Sequence, residues 1–216
     1  MNDILADMLR LLPYMAVIYA GVYVMFRIGK KQCSISHIVL SMLFTLGVAG
    51  IFAITGVTPM SGFHAEVRIE EVNIIPFYGI VDMLGSAIED GHFEYAAINI
   101  IGNMILFMPF GFGLPLLWKE FYSLKRTVFA GFLVSLLIEC SQFLLSRGTD
   151  VDDLLLNTLG TVFGYVLFVK LYAILPKLSR VSKERRTFPF EATATILLAY
   201  VSYFLLGLYH YKKFFA

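Results

Sequence analysis

The sequence predicts an all-α fold, a polytopic transmembrane helix bundle of about six spans, or five, with an external loop carrying a short interfacial helix. Three observations lead there. The chain of 216 residues is 58% hydrophobic and only 15% charged, with a mean hydropathy of +0.76, whereas a soluble domain is about half apolar and about a quarter charged. The apolar residues fall into separate runs of roughly 20, the length that crosses a bilayer as a helix. The basic residues sit in short clusters beside those runs, which is where topology signals lie.

The runs cover 11–28, 35–57, 96–118, 127–146, 154–175 and 192–211. The first is the shortest; Pro13 is tolerable in its opening turn. The preceding stretch holds Asp3 and Asp7 where a signal peptide would be basic, and no small-x-small cleavage site follows, so it reads as a retained anchor. Arg27, Lys30 and Lys31 follow the first run, Lys119, Lys125 and Arg126 divide the third from the fourth, and Lys177, Arg180, Lys183, Arg185 and Arg186 divide the fifth from the sixth. They outnumber Arg10, Arg68, Arg147, Lys212 and Lys213 on the other side, so the basic loops are cytoplasmic and both termini outside. Lys212 and Lys213 run against that orientation.

The long connection 58–95 is then external, and it is acidic. VNIIPF (72–77) is extended and ends in proline. Residues 78–90 place Ile80, Val81, Leu84, Ala87 and Ile88 near helical spacing, as in a short helix lying at the membrane interface. The loop is expected to fold back over the outer helix ends. Three regions follow: 1–69 with two spans and the start of the outer loop, a core at 70–170, and 171–216 with a basic cytoplasmic loop and the last span. No internal repeat is visible. Cys33 and Cys140 lie on different segments without metal-ligand spacing. The scattered basic residues give no nucleic-acid signature, and no cofactor-binding pattern is present.

Polar side chains inside the runs mark the candidate site, because ionisable groups at membrane depth are costly and tend to be functional. Counting depth from the outer helix ends gives two layers. Asn99, Gln142 and Asn157 lie near the mouth, and Asn103 and Glu139 lie roughly 10 Å below. Asn99/Asn103 and Glu139/Gln142 each share one helix face. The bland reading is that these amides are interhelical glue. Glu139 is different, since a carboxylate at that depth must be protonated, paired or hydrated.

Between the fourth and fifth runs lies the turn Arg147-Gly148-Thr149-Asp150-Val151-Asp152-Asp153. Its aspartates suit the start of a helix, yet three with an arginine exceed that need. Carboxylates at this spacing can hold a hard cation, but no diphosphate-binding pattern is completed, and no metal is assigned. Arg147 can bind an anionic head group bidentately. A salt-bridged turn and a ligand site both fit. In the third run, Pro109, Gly111 and Gly113 predict a kink or break. Gly160 and Gly164 form a GxxxG close-approach surface.

NIIPF (73–77), NMILFMPFGFGLPLL (103–117), SLLIECSQF (135–143) and RGTDVDDLLLNTLGTVFGY (147–165) resemble, in order, the signatures of the VanZ-like family, small bacterial membrane proteins whose namesake is associated with low-level resistance to the glycopeptide teicoplanin. The matching positions are Asn103, Pro109 and Gly111; Ser135, Glu139 and Gln142; and Arg147, Asp150, Asp153, Asn157 and Gly160. The resemblance spans roughly residues 70–170. It implies a multi-pass protein of the bacterial cell membrane with a role in the envelope, and it supplies no mechanism.

Two functions follow as expectations. One is a non-enzymatic protein that binds an envelope lipid, a lipid-linked cell-wall precursor or an amphiphilic lipoglycopeptide in an outward-facing pocket of Asn99, Asn103, Gln142, Arg147, Asp150, Asp153 and Asn157. The other is a membrane enzyme on a lipid-linked or cell-wall substrate, with Glu139 as general acid/base. No nucleophile-plus-base arrangement is visible for the second. A small transporter has little support without repeats.

Overall fold

The computed structural model describes residues 35–55, 72–144, 149–175 and 191–215. The first predicted span, at 11–28, lies outside the described residues, as do Arg147 and Cys33. Within the described residues the order is α1 (Ile35–Ile54), β1 (Val72–Asn73), α2 (Tyr78–Asp90), α3 (Phe93–Leu117), a 3-10 turn (Lys119–Phe121), α4 (Leu124–Leu144), β2 (Thr149–Asp150), α5 (Val151–Ile174) and α6 (Glu191–Phe215). The chain is an all-α membrane helix bundle. Ser36–Ile54, Phe93–Leu117 and Val151–Ile174 are long and apolar enough to cross a membrane, and Ala192–Leu205 is a shorter apolar stretch.

The five predicted spans that fall within the described residues coincide with helices whose ends are shifted. Helices α3, α4 and α5 each begin about three residues before the apolar run that announced them. The first turns hold polar residues that hydropathy excludes, Glu94 in α3 and Asp152 and Asp153 in α5. Acidic groups belong there because they face unpaired N–H groups at the positive end of the helix.

Helices α3 and α5 share the most extensive contact among the described residues, and glycine makes it. A Cβ on Gly160 would collide with the Met104 carbonyl oxygen, and one on Gly164 with that of Met108. The matching order of those pairs means α3 and α5 run parallel. Helix α4 runs against both, since Glu139 meets Asp150, Ser135 meets Asn157 and Gly131 meets Thr161.

Helix α3 is continuous through Pro109 and Pro115, so no break occurs where one was expected. Its glycines serve packing instead. Gly111 abuts the Thr161 backbone and Gly113 the Phe44 ring.

The core lies between α1, α3, α4 and α6. Phe44, Phe52, Phe107, Phe110, Trp118 and Ile138 are buried there with Ala199 and Tyr203. Phe44 and Trp118 meet edge to face, with centroids 5.3 Å apart, a favourable aromatic geometry. Ser141 and Tyr200 share a hydrogen bond of 2.7 Å that ties α4 to α6. Outward faces are apolar: Leu43, Ile98, Ile101, Ile105, Phe129, Leu133, Leu159 and Phe163 are all exposed. Buried Ser135, Glu139, Asp152, Asn157 and Thr161 lie inside. Polar inside and apolar outside is the arrangement a bilayer solvent demands.

The described part of the long connection folds back against the start of α5, by a contact the hydropathy pattern does not show. Strand β1 pairs in parallel with β2, Val72 opposite Thr149 and Asn73 opposite Asp150. The short helix expected at 78–90 is α2.

Candidate functional site

The site gathers where α3, α4 and α5 meet β1 and the start of α2. Asp150 is the N-cap of α5; its carboxylate accepts from the Asp152 N–H at 2.8 Å. A side-chain acceptor here satisfies one of the helix's orphan N–H groups. The same Asp150 oxygen accepts from the Asn73 amide at 2.9 Å, and Asn73 in turn accepts from the Ile75 N–H at 3.0 Å, closing an Asx turn.

Asp152, almost fully buried, reaches the other way. Its carboxylate accepts from the backbone N–H of Phe77 and, at 3.0 Å, from that of Ile80. Phe77 is the N-cap of α2 with a left-handed backbone (φ 67°) and no side-chain cap of its own. One aspartate on α5 therefore caps α2. Gly79 permits this approach, because a Cβ there would lie 2.6 Å from Asp150 Oδ2 and 3.2 Å from Asp152 Oδ2. The positive ends of two helices thus converge on one pair of carboxylates.

Asp153 projects toward α3, where the Asn103 amide donates to it at 2.6 Å. Asn103 also approaches Asn99 Oδ1 at 3.4 Å, one turn away. Glu139, buried on α4, accepts from the Asp150 N–H at 3.0 Å. Glu139 lies near enough to Asp150 and Asp153, and Asp153 to Asp150 and Asp152, for their charges to interact. Among the described residues no Lys or Arg hydrogen-bonds to the four.

Depth is where the sequence expectation changes. Glu139 was expected at the pocket floor with Asn157 near the mouth, and the order is reversed. Helix α4 continues past Glu139 to Leu144, whereas α5 begins at Val151 beside Glu139. Counting back from each helix end assumed that the two ends were level. Asn157 lies deeper, where its amide donates to buried Ser135 at 2.9 Å and its Oδ1 has no hydrogen-bond partner among the described residues.

Gln142 also departs from expectation. Its amide donates at 2.9 Å to the Thr55 carbonyl beyond the end of α1, away from the cluster. That carbonyl lies just past the last turn of α1, so Gln142 acts as the glue of the bland reading. Arg147 lies outside the described residues.

The structure therefore brings together Asn99, Asn103, Glu139, Asp150 and Asp153, sets Asn157 below them, and places Gln142 elsewhere. Asn73 and Asp152 belong to the cluster and were not singled out as site residues. Asn73 had a faint signal, an asparagine opening an extended run that ends in proline. Asp152 had none beyond its place in the acidic turn, because its partners lie on a distant loop.

Chemically, the half-buried members Asn99, Asn103, Asp150 and Asp153 present mostly acceptors. Such a surface suits hydroxyl, amide or ammonium groups.

The VanZ/LLP1 family model matches residues 14–175, well over half of the chain. Among curated proteins the chain is similar to Protein VanZ of Enterococcus faecium, 33% identical over 104 residues that cover 48% of this chain and 62% of that protein. The chain thus aligns with less than two thirds of that relative's length. No solved structure matches the chain.

Proposed function

The chain belongs to the VanZ/LLP1 family, and from that premise we propose that it is a multi-pass protein of the bacterial cytoplasmic membrane that lowers susceptibility to teicoplanin-type glycopeptides. It does so by binding an envelope lipid, a lipid-linked cell-wall precursor or the amphiphilic drug in an outward-facing polar pocket. The observation that carries this reading is the joining of Asn103 to Asp153 beside Asp150 and Glu139 where α3, α4 and α5 meet. Purely structural glue would satisfy its groups in neutral pairs. Four carboxylates gathered with no Lys or Arg hydrogen-bonded to them among the described residues carry desolvation and repulsion costs that packing alone does not require. The half-buried Asn99, Asn103 and Asp153 are the contacts for a donor-rich head group, and Asn157 and Ser135 form the layer beneath.

A second reading rests on the same cluster. In a membrane enzyme acting on a lipid-linked or cell-wall substrate, Glu139 is the general acid/base. The observation in its favour is that Glu139 and Asp153, on facing helices, carry two carboxylates close enough to interact.

The experiment measures teicoplanin susceptibility together with membrane abundance for Asp153→Asn, Asn103→Leu and Glu139→Gln. Glu139→Gln keeps an acceptor for the Asp150 N–H and removes only the ionisable group. Under the binding reading, Asp153→Asn and Asn103→Leu restore susceptibility at normal abundance while Glu139→Gln retains protection. Loss of protection in Glu139→Gln at normal abundance favours the enzyme. If all three variants protect like the parent, the cluster is structural and the proposal fails.

A further inference from the structure

The carboxylate cluster has an unsatisfied group beneath it. Asn157 stands one turn after Asp153 on α5, and Ser135 one turn before Glu139 on α4. The 2.9 Å bond from the Asn157 amide to the Ser135 hydroxyl therefore lays that side chain across the α4–α5 seam, in the layer under both carboxylates. Its Oδ1, the other arm of the same planar amide, has no hydrogen-bond partner among the described residues, although Asn157 is only 1% exposed. A buried amide oxygen left unpaired is costly, and more so at membrane depth, so packing alone would favour an apolar side chain here.

The surroundings select the group that would pair with it. Asp150 and Asp152 are already served: Asp150 accepts from Asn73 and from its own helix, and Asp152 from the Phe77 and Ile80 N–H groups. Glu139 and Asp153 each accept one such bond, from the Asp150 N–H and from the Asn103 amide, whereas a carboxylate offers about four acceptor positions. The helices around them bring no counter-charge, since residues 72–118, 127–146 and 148–169 contain no Lys or Arg. The group that completes the site is therefore a cation that donates hydrogen bonds. A bare metal ion fits poorly, because among the described residues no three His, Cys, Asp or Glu are placed to hold one. A primary ammonium fits well. It brings one positive charge and three N–H donors, for Asp153, Glu139 and Asn157 Oδ1. Half-buried Asn99, Asn103 and Asp153 leave it a way in.

We propose that the pocket binds the primary ammonium group of its ligand, with Asn157 Oδ1 as the buried acceptor beneath Asp153 and Glu139. This rests on the binding reading above and names the class of head group that the pocket takes.

The test is equilibrium dialysis of ethylammonium and, separately, tetramethylammonium against the full chain in phosphatidylcholine nanodiscs, with empty discs subtracted. Tetramethylammonium has the charge and no N–H. Ethylammonium is expected to bind saturably at one equivalent, and tetramethylammonium not to bind. Asp153→Asn and Asn157→Leu each weaken ethylammonium binding about tenfold or more, the share of one hydrogen bond to a charged group. Asp153→Asn keeps an acceptor for Asn103, so it carries the test if Asn157→Leu fails to fold. Gln142→Leu removes an amide link elsewhere in the bundle and leaves binding unchanged. Discs of phosphatidylethanolamine then separate two sources of the ammonium. Loss of ethylammonium binding in them assigns the site to a lipid head group, and unchanged binding assigns it to a soluble amine; either result supports the proposal. Equal binding of the two cations overturns it, as does unchanged affinity in either pocket variant. Tighter binding in Arg147→Gln also overturns it, because that arginine would then already neutralise the pocket. Dialysis uses no susceptibility measurement. Absent ethylammonium binding, with teicoplanin susceptibility still restored by Asp153→Asn, refutes the ammonium and leaves the binding reading standing.

Discussion

The clearest quantitative consequence concerns Asp152, the α5 carboxylate that holds α2. It accepts from the Phe77 and Ile80 N–H groups while almost fully buried. A hydrogen bond to a charged group contributes about 1.5–3 kcal/mol. Asp152→Ala removes two of them and leaves both donors unpaired, a loss of about 3–6 kcal/mol in the docking of α2. Little else holds that helix down, since Ala87 is its only buried residue. The docked population should fall at least a hundredfold, because each 1.4 kcal/mol is about a factor of ten. Asp152→Asn keeps one acceptor and turns an N–H donor toward another, so about half of that loss is expected. Hydrogen exchange of the full chain in detergent reads this directly. Amides across 77–90 should exchange about a hundredfold faster in Asp152→Ala, while those of α3 and α5 stay protected. Unchanged protection of 77–90 in that variant would refute the clamp, and equal loss throughout α5 would show that Asp152 supports the bundle as a whole.

Two further outcomes follow from packing and from the amide link of Gln142. Gly160→Ala and Gly164→Ala drive a Cβ into backbone carbonyls of α3 that cannot rotate away, so each should cost about 1–3 kcal/mol and lower the thermal midpoint of the solubilised protein. Gly102→Ala, where nothing lies within 4 Å, should be neutral or slightly stabilising by comparison. Gln142→Leu breaks the link to the Thr55 carbonyl and should cost about 1–2 kcal/mol, with teicoplanin protection falling only in proportion to membrane abundance. Lost protection at full abundance would put Gln142 back in the pocket.

Individual residues show how far the chain could be read without its structure. The apolar runs were legible because spanning a bilayer is a local requirement on about 20 consecutive residues. Asn103 and Glu139 were legible because a polar group within such a run is costly wherever its partner lies, and Asp150 and Asp153 because they stand in the acidic turn between two runs. Their partners were not. The link of Asn103 to Asp153 crosses two helices, and that of Asp152 to Phe77 joins the start of α5 to a loop far earlier in the chain. Glu139 was read correctly as buried and placed at the wrong depth, since hydropathy gives the length of a helix and not its height against a neighbour.

By itself, then, the sequence determined that this is an all-α membrane bundle, where its helices lie, and which polar residues need explaining. Each of those depends on nearest neighbours in the chain and on the cost of moving a group from water to hydrocarbon. Tertiary structure decided the rest: the offset of α4 against α5, the pairing of Val72 and Asn73 with Thr149 and Asp150, and the use of Asp152 to cap a helix other than its own. The glycines set how closely α3 and α5 approach, and that approach brings the carboxylates together. Such contacts join distant parts of the chain, and their geometry exists only once the helices have packed.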